Sequence, residues 1–286
     1  MAWTVDSAFA DFHTTINLPG DHRTIANTRR DWVLRRLGTS MTVLDAFSMG
    51  SIPRYTALKG YADLDIIAVL HYEQHIKGRL PSTVLGNVKR ALGPGAGSVR
   101  RNGQAVTMRF QSWPDIDVVP AVRVTNDSGE VTHYEIPDMN REIWLETKPH
   151  KHTRDVNSKA ESHGLKFRQV IKFIKDWNRR QSISLQSYHL EVIALKTPTD
   201  WKSYDWSVLQ WFSHAKSQLY SCWHEGNDVS AYLTADRAYL VQQQINQAYT
   251  AALNAWYATS GPNPNQAAAI REWKSIFGQR FPSYGS

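Results

Sequence analysis

The sequence predicts an α+β fold in which a half built of strands and helices is followed by a helical half, with the changeover near residue 150. Three observations carry this. Short apolar runs bounded by Gly and Pro recur as far as Ile136, and from Leu165 the apolar residues move to helical spacing. The chain has 286 residues, 42% hydrophobic and 11% aromatic, enough for one two-lobed domain or two small ones and incompatible with general disorder.

The elements follow in order. Thr24 to Leu37 places Ile25, Trp32, Val33 and Leu37 on one helix face, and Met41 to Ser48 reads as an apolar strand ending at Gly50-Ser51. Beyond a polar turn with Pro53 and Gly60, Asp63 to Leu70 (DLDIIAVL) is a buried strand. Leu80 to Leu92 has Pro81 in its first turn and apolar residues at 84, 85, 88, 91 and 92, the pattern of a helix. The glycines at 93, 95 and 97 lack the Gly-Lys-Ser/Thr end of a phosphate loop and read as the turn that stops this helix. Ala105 to Phe110, Asp115 to Val122 and Val131 to Ile136 supply further strands. Helices are then expected over Leu165 to Asn178, Ser187 to Leu195, Ala235 to Tyr257 and Ala267 to Phe277. An N-terminal helix is expected to pack across both halves, 1–150 and 151–286.

The charge is uneven. The net charge is +7, and the stretch Lys148 to Arg180 alone carries ten Lys and Arg against three acids, which leaves 23 of each sign elsewhere. An anionic partner is implied, and a basic face this short suits a small polyphosphate better than a long duplex. The single cysteine, Cys222, excludes an intramolecular disulfide and a cysteine zinc site. His150 and His152 lack a third ligand nearby and read as solvated members of the basic stretch. The N-terminus has no signal-peptide pattern, and no segment approaches the ~18 apolar residues of a membrane span. A cytoplasmic protein without membrane contact is expected.

The chemistry-bearing residues are carboxylates. Asp63 and Asp65 stand two apart in an apolar strand, so the pleat puts both on one face, ~7 Å apart at ~3.3 Å per residue. Carboxylates beside Ile66, Ile67, Val69 and Leu70 are costly unless neutralised, and a divalent cation with hard oxygen ligands does this. Two Mg²⁺ or Mn²⁺ ions ~4 Å apart activate an attacking hydroxyl and stabilise a leaving pyrophosphate. A D-x-D pair alone is unspecific. Here it follows Gly50-Ser51, a phosphate-cupping pair, by eleven residues, and Asp115-Ile-Asp117-Val-Val-Pro-Ala supplies another acidic strand.

At these residues, FSMGSIPRYTALKGYADLDIIAVL and then DIDVVPA, the sequence resembles the polymerase-β-like nucleotidyltransferases, and among them the cGAS/DncV-like nucleotidyltransferases of bacterial anti-phage systems. LKFRQVIKFIKDWN and LQSYHLEVIAL are similar to a helix pair of the same enzymes, and EWKSIFGQRFP is typical of the family's close. The resemblance spans roughly residues 20 to 200, and the chain's length and S-Y-h-L-E form look most similar to clade E. It implies a nucleotidyltransferase lobe with a central mixed sheet, a C-terminal helical lobe, and an active site in the cleft between them.

Position by position, the resemblance implies Asp63, Asp65 and Asp117 as ligands of two Mg²⁺ or Mn²⁺ ions, with Asp117 also drawing the proton from the acceptor hydroxyl. Asp115 competes for that role by alternation, but only Asp117 fits the D-h-h-P-A pattern. Gly50 and Ser51 would meet the donor phosphates, Lys175 and Ser187 the triphosphate, and Tyr188 the donor base. Thr147 is the nearest match to the base-selecting position and favours purine substrates, ATP and GTP. The implied activity is synthesis of a cyclic di- or trinucleotide from NTPs with release of pyrophosphate. A separate effector would bind the product, no nucleic acid would be obligatory, and the enzyme would act as a monomer. A nucleotidyltransferase acting on an RNA end or a protein hydroxyl shares these carboxylates, and an inactive nucleotide sensor is the reading from outside enzymes.

Overall fold

The computed structural model describes residues 4–18, 20, 22–100 and 103–285. The chain divides into two compact units: one spans Leu18–Arg154, and the other joins the N-terminal residues up to Asn17 with Asp155 onward. Val5–Ile16 forms α1 and belongs to the second unit.

In the first unit α2 (His22–Gly38) leads into β1 (Val43–Met49), β2 (Leu64–Leu70), α3 (Pro81–Leu92), β3 (Ala96–Val99), β4 (Val106–Met108), β5 (Ile116–Thr125), β6 (Val131–Asp138) and β7 (Ile143–Thr147). Among the described residues these strands make one seven-stranded sheet, ordered β1-β2-β5-β4-β3, with β6 pairing β5 and β7 pairing β6. β2 and β5 run parallel, and the other neighbours are antiparallel, so the sheet is mixed. β5 is long enough to pair β4 along residues 116–118 and β6 along 122–125.

Alternation along β2 and β5 sorts their side chains. Leu64, Ile66, Ala68, Ile116 and Val118 pack with Ala26, Val33 and Leu37 of α2 and with Val84, Leu85 and Val88 of α3. Ile67, Val69, Val119 and Ala121 form a second, smaller cluster with Tyr134 and Ile136 on the opposite face. Asp65 and Asp117 share the parity of this second set, so the pleat turns both away from the helices. Burying the larger cluster fixes the register of β2 against β5, because a slip of one residue would drive the slipped strand's carboxylate into the helix-covered core.

In the second unit α1 packs with α5 (Leu165–Arg179), α7 (Tyr204–Ala215) and α9 (Gln266–Phe277). Phe9 and Phe12 of α1 meet Phe173, Phe277 and Phe281, each at ring separations between 5.1 and 5.8 Å. α4 (Pro149–His163), α6 (Ser187–Lys196), the short hairpin of β8 (Trp223–His224) and β9 (Asn227–Asp228), and α8 (Ala235–Ser260) complete the element list. Cys222 is free and fully buried, and burial pushes its thiol up to about 11. No helix among the described residues is long and apolar enough to cross a membrane.

The basic stretch differs from its sequence reading. Lys172 Nζ donates to Asn17 Oδ1 at 2.5 Å, Lys159 Nζ to the carbonyl of Leu195, and Arg168 to Asn157 Oδ1. Arg180 and Arg280 bracket the buried Asp176. Much of the charge therefore holds the helical unit together, where the sequence pattern suggested one continuous wall for a polyphosphate. The same density of charge conceals α4: His152, Val156 and Ala160, each one turn apart, mark its buried face, and only two of them are apolar.

Candidate active site

β1 delivers Gly50. Met49, its last residue, is the cross-strand partner of Asp65, and Gly50 then turns the chain with φ of +78°. A Cβ added at Gly50 would lie 2.1 Å from Asp65 Oδ2, so only glycine lets the backbone pass this carboxylate. Ser51 follows, half-buried, in a turn closed by the bond from Thr56 N to the Ser51 carbonyl at 3.0 Å.

Asp65 and Asp117 are direct partners across the parallel ladder. Asp63 stands one residue before β2 and keeps 48% of its side chain exposed, Asp65 keeps 23%, and Asp117 only 2%. Thr107, the partner of Asp117 on β4, donates its hydroxyl to Asp117 Oδ1 at 2.6 Å. Asp115 is used differently: its carboxylate accepts from the backbone N–H of Phe110 at 2.9 Å. Of the two alternating acids on this strand, Asp117 is the one that meets Asp65.

A guanidinium lies among the three carboxylates. Arg100 Nε is 2.9 Å from Asp117 Oδ2, Nη2 is 3.4 Å from Asp63 Oδ2, and Nη1 is 3.6 Å from Asp65 Oδ1. Burial pushes the Asp65 carboxyl up to about 6; Arg100 opposes the shift, Asp117 and Asp63 add to it, and Arg54 opposes it.

This donor set fits a divalent cation. All three groups are hard oxygen ligands, Asp117 Oδ2 is buried with the cationic Arg100 Nε as its partner, and the absent Cβ of Gly50 keeps space at Asp65 Oδ2. The site already attracts one cationic side chain to each carboxylate.

Thr147 ends β7 opposite Tyr134. The Tyr134 hydroxyl lies 3.4 Å from His150 Nε2, and the His150 ring sits 4.0 Å from that of Phe47. Burial lowers the His150 pKa, and His152 is itself buried. His150 remains exposed, as expected, with its ring against Phe47, whereas His152 is buried and is not a solvated member of a basic face.

Lys175, Ser187 and Tyr188 belong to the helical unit. Lys175 is buried, and its Nζ donates to Glu191 Oε1 at 2.5 Å. Glu191 sits one turn beyond Ser187 on α6, so Lys175 is tied to the body of that helix. Ser187 is exposed in its first turn, beside Tyr188. The Tyr188 hydroxyl is 2.8 Å from His224 Nδ1, and His224 Nε2 is 3.1 Å from Asp155 Oδ2. When Nε2–H donates to Asp155, Nδ1 is left to accept from Tyr188, which makes one consistent chain. Ligand atoms of Asp155, His224 and Glu225 also fall within 4.8 Å of one another.

Arg100, Thr107 and His224 carry no motif. In the sequence nothing singles Arg100 out from its neighbours Arg101 and Arg109; Arg101 lies outside the described residues, and Arg109 is not among the ion pairs of the carboxylates. The alternation that assigns Asp117 to one face could have pointed to Thr107, had the β4–β5 register been known.

A family model described as the Second Messenger Oligonucleotide or Dinucleotide Synthetase domain matches residues 3–160, more than half of the chain. A "Probable cyclic nucleotide synthase" of Bacillus cereus (strain VD146) is 24% identical, with 99% of each chain covered. A "Cyclic AMP-AMP-AMP synthase" of Acinetobacter sp. is 26% identical over 96% of this chain and 82% of its own. Among solved structures, that of E. coli MS115-1 CdnC with ATP superposes with a TM-score of 0.78 at 19% identity, covering 97% of this chain and 99% of that one.

Proposed function

Since the chain belongs to the Second Messenger Oligonucleotide or Dinucleotide Synthetase family, and is thus a nucleotidyltransferase of the cGAS/DncV-like kind, we propose that it joins purine NTPs into a cyclic di- or trinucleotide used in anti-phage signalling. The observation that carries this reading is the ladder pair Asp65–Asp117, with Asp63 beside it and Gly50 against it.

Asp63, Asp65 and Asp117 would hold Mg²⁺ or Mn²⁺, which when bound would neutralise charge on the triphosphate and lower the pKa of the attacking hydroxyl. The acceptor hydroxyl oxygen forms a bond to the donor α-phosphorus, the bond to pyrophosphate breaks, and Asp117 Oδ2 takes the hydroxyl proton. Thr107 keeps Asp117 Oδ1 engaged, so Oδ2, the oxygen that Arg100 Nε pairs with here, takes this task once the guanidinium withdraws. Gly50 and Ser51 present backbone amides and a hydroxyl to the donor phosphates.

In the helical unit Ser187 offers its hydroxyl and the free amides of the first turn of α6, a favourable place for a triphosphate. Lys175 acts one step back, fixing that helix through Glu191. Tyr188 supplies an aromatic plate for the donor base, and Thr147 a short hydroxyl suited to a purine.

The purified chain should be incubated with each NTP singly and in pairs, with Mg²⁺, and pyrophosphate release followed. Release with ATP, alone or with GTP, and no added acceptor supports the reading. Release only when RNA or protein is supplied would make it a tailing enzyme, and none with any mixture would make it a sensor.

A further inference from the structure

One arginine touches all three carboxylates of the site, each through a different nitrogen. Its backbone is pinned at the end of β3, with Arg100 N donating to Ala105 O and Gly103 N donating to Arg100 O, both at 2.8 Å. Its side chain keeps 40% of its surface in water, so it can leave the carboxylates without crossing packed protein. A guanidinium is the side chain suited to this span, because its donors radiate in a fixed plane and its charge persists at any working pH.

We propose that Arg100 is a positioning residue of the metal site: it holds Asp63, Asp65 and Asp117 converged on one point and competes with the divalent cation for them. The inference rests on reading these carboxylates as metal ligands. Three carboxylates this close repel one another, and the buried Asp117 cannot shed its charge to water. Arg100 offsets that repulsion through the same oxygens a cation needs, Asp117 Oδ2 included. Guanidinium and cation therefore exclude each other, and the apparent metal affinity is reduced by the fraction of molecules in which the arginine is engaged. The arrangement keeps the carboxylates ordered while making occupancy depend on cation concentration.

Direct Mn²⁺ binding tests this, read by the loss of the free-ion electron paramagnetic resonance signal, with the melting temperature followed in parallel on full-length protein. Arg100→Ala should bind Mn²⁺ about tenfold more tightly than the parent, as expected if the arginine is engaged about nine-tenths of the time. Its melting temperature without added Mn²⁺ should fall and its Mn²⁺-dependent rise should grow. Arg100→Lys keeps the charge but loses the fork, and should lie between the two. An unchanged or weaker Mn²⁺ affinity in Arg100→Ala overturns the proposal, as does Arg100→Lys behaving like the parent, which would reduce the effect to bulk charge. If neither parent nor variants bind Mn²⁺, the metal-site reading itself fails along with it.

Discussion

Asp65 on β2 and Asp117 on β5 face each other residue for residue across a parallel ladder, and Thr107 on β4 completes the row by hydrogen bonding to Asp117. The row places two acids on the sheet face that α2 and α3 leave uncovered.

Asp65→Asn should raise stability and lower turnover. Burial pushes the carboxyl of Asp65 up to about 6, so its charge is unfavourable to the folded state and a neutral isostere relieves the cost. The melting temperature should rise slightly, while NTP turnover falls by about a thousandfold or more as charge neutralisation at the triphosphate is lost. A variant that loses both would mean that the acid is part of the scaffold.

Gly50→Ala should damage the site disproportionately to its size. The methyl group would overlap Asp65 Oδ2 at 2.1 Å, and φ of +78° disfavours any residue with a Cβ. Displacing the carboxylate should weaken Mn²⁺ binding by about tenfold, against about 1 kcal/mol of stability from the backbone alone. Ser51→Ala, at the next position, should leave Mn²⁺ affinity unchanged and raise the KM for NTP.

The pH dependence has a defined sign. Asp65 has a folded pKa of about 6, above the ordinary aspartate value of 3.8. Its contribution to stability is fully present below the lower value and is lost as pH rises through about 6. Divalent cations favour the ionised form, so the rise in melting temperature on adding Mn²⁺ should be larger at neutral pH than near pH 5. A larger rise at the acid end would show that another group controls binding.

The platform assigned to Tyr188 separates into two parts. Tyr188→Ala removes the aromatic plate and should raise the KM for NTP by about tenfold, the scale of one base stacking on one ring. Tyr188→Phe keeps the plate and loses the bond to His224, so its KM should rise only about threefold, and His224→Ala should match it. Equal effects of Tyr188→Ala and Tyr188→Phe would place the hydroxyl, and not the ring, against the substrate.

The legible part of this molecule is the part where local pattern and tertiary role coincide. β2 and β5 are readable because alternating carboxylates interrupt runs of Val and Ile, and α5 because Phe167, Val170, Ile171 and Ile174 recur at helical spacing. α4, α7, β3 and β7 escape that reading: α4 buries little, and Gly97 of Ala96–Val99 reads with Gly93 and Gly95 as part of a turn. The site behaves in the same way. Asp65 and Asp117 lie within recognisable strands and Asp63 stands just before one, whereas Arg100 reaches them from a hairpin whose register no local signal gives. Lys175 shows what local pattern leaves out: a lysine on an apolar helix reads as a phosphate ligand, and the fold also pairs it with the buried Glu191. Partners of buried charges are set by tertiary contact, and a single sequence does not encode them locally.

The central claim, that the chain closes nucleotides into a ring, is tested most directly by product structure. Purified protein should be incubated with α-labelled ATP and GTP and Mg²⁺, then treated with phosphatase. A labelled product that survives phosphatase, and whose mass equals a whole number of nucleoside monophosphates less one water for each, is the predicted result. Products that lose their terminal phosphates to the enzyme, or that form only on added RNA or protein, would contradict it.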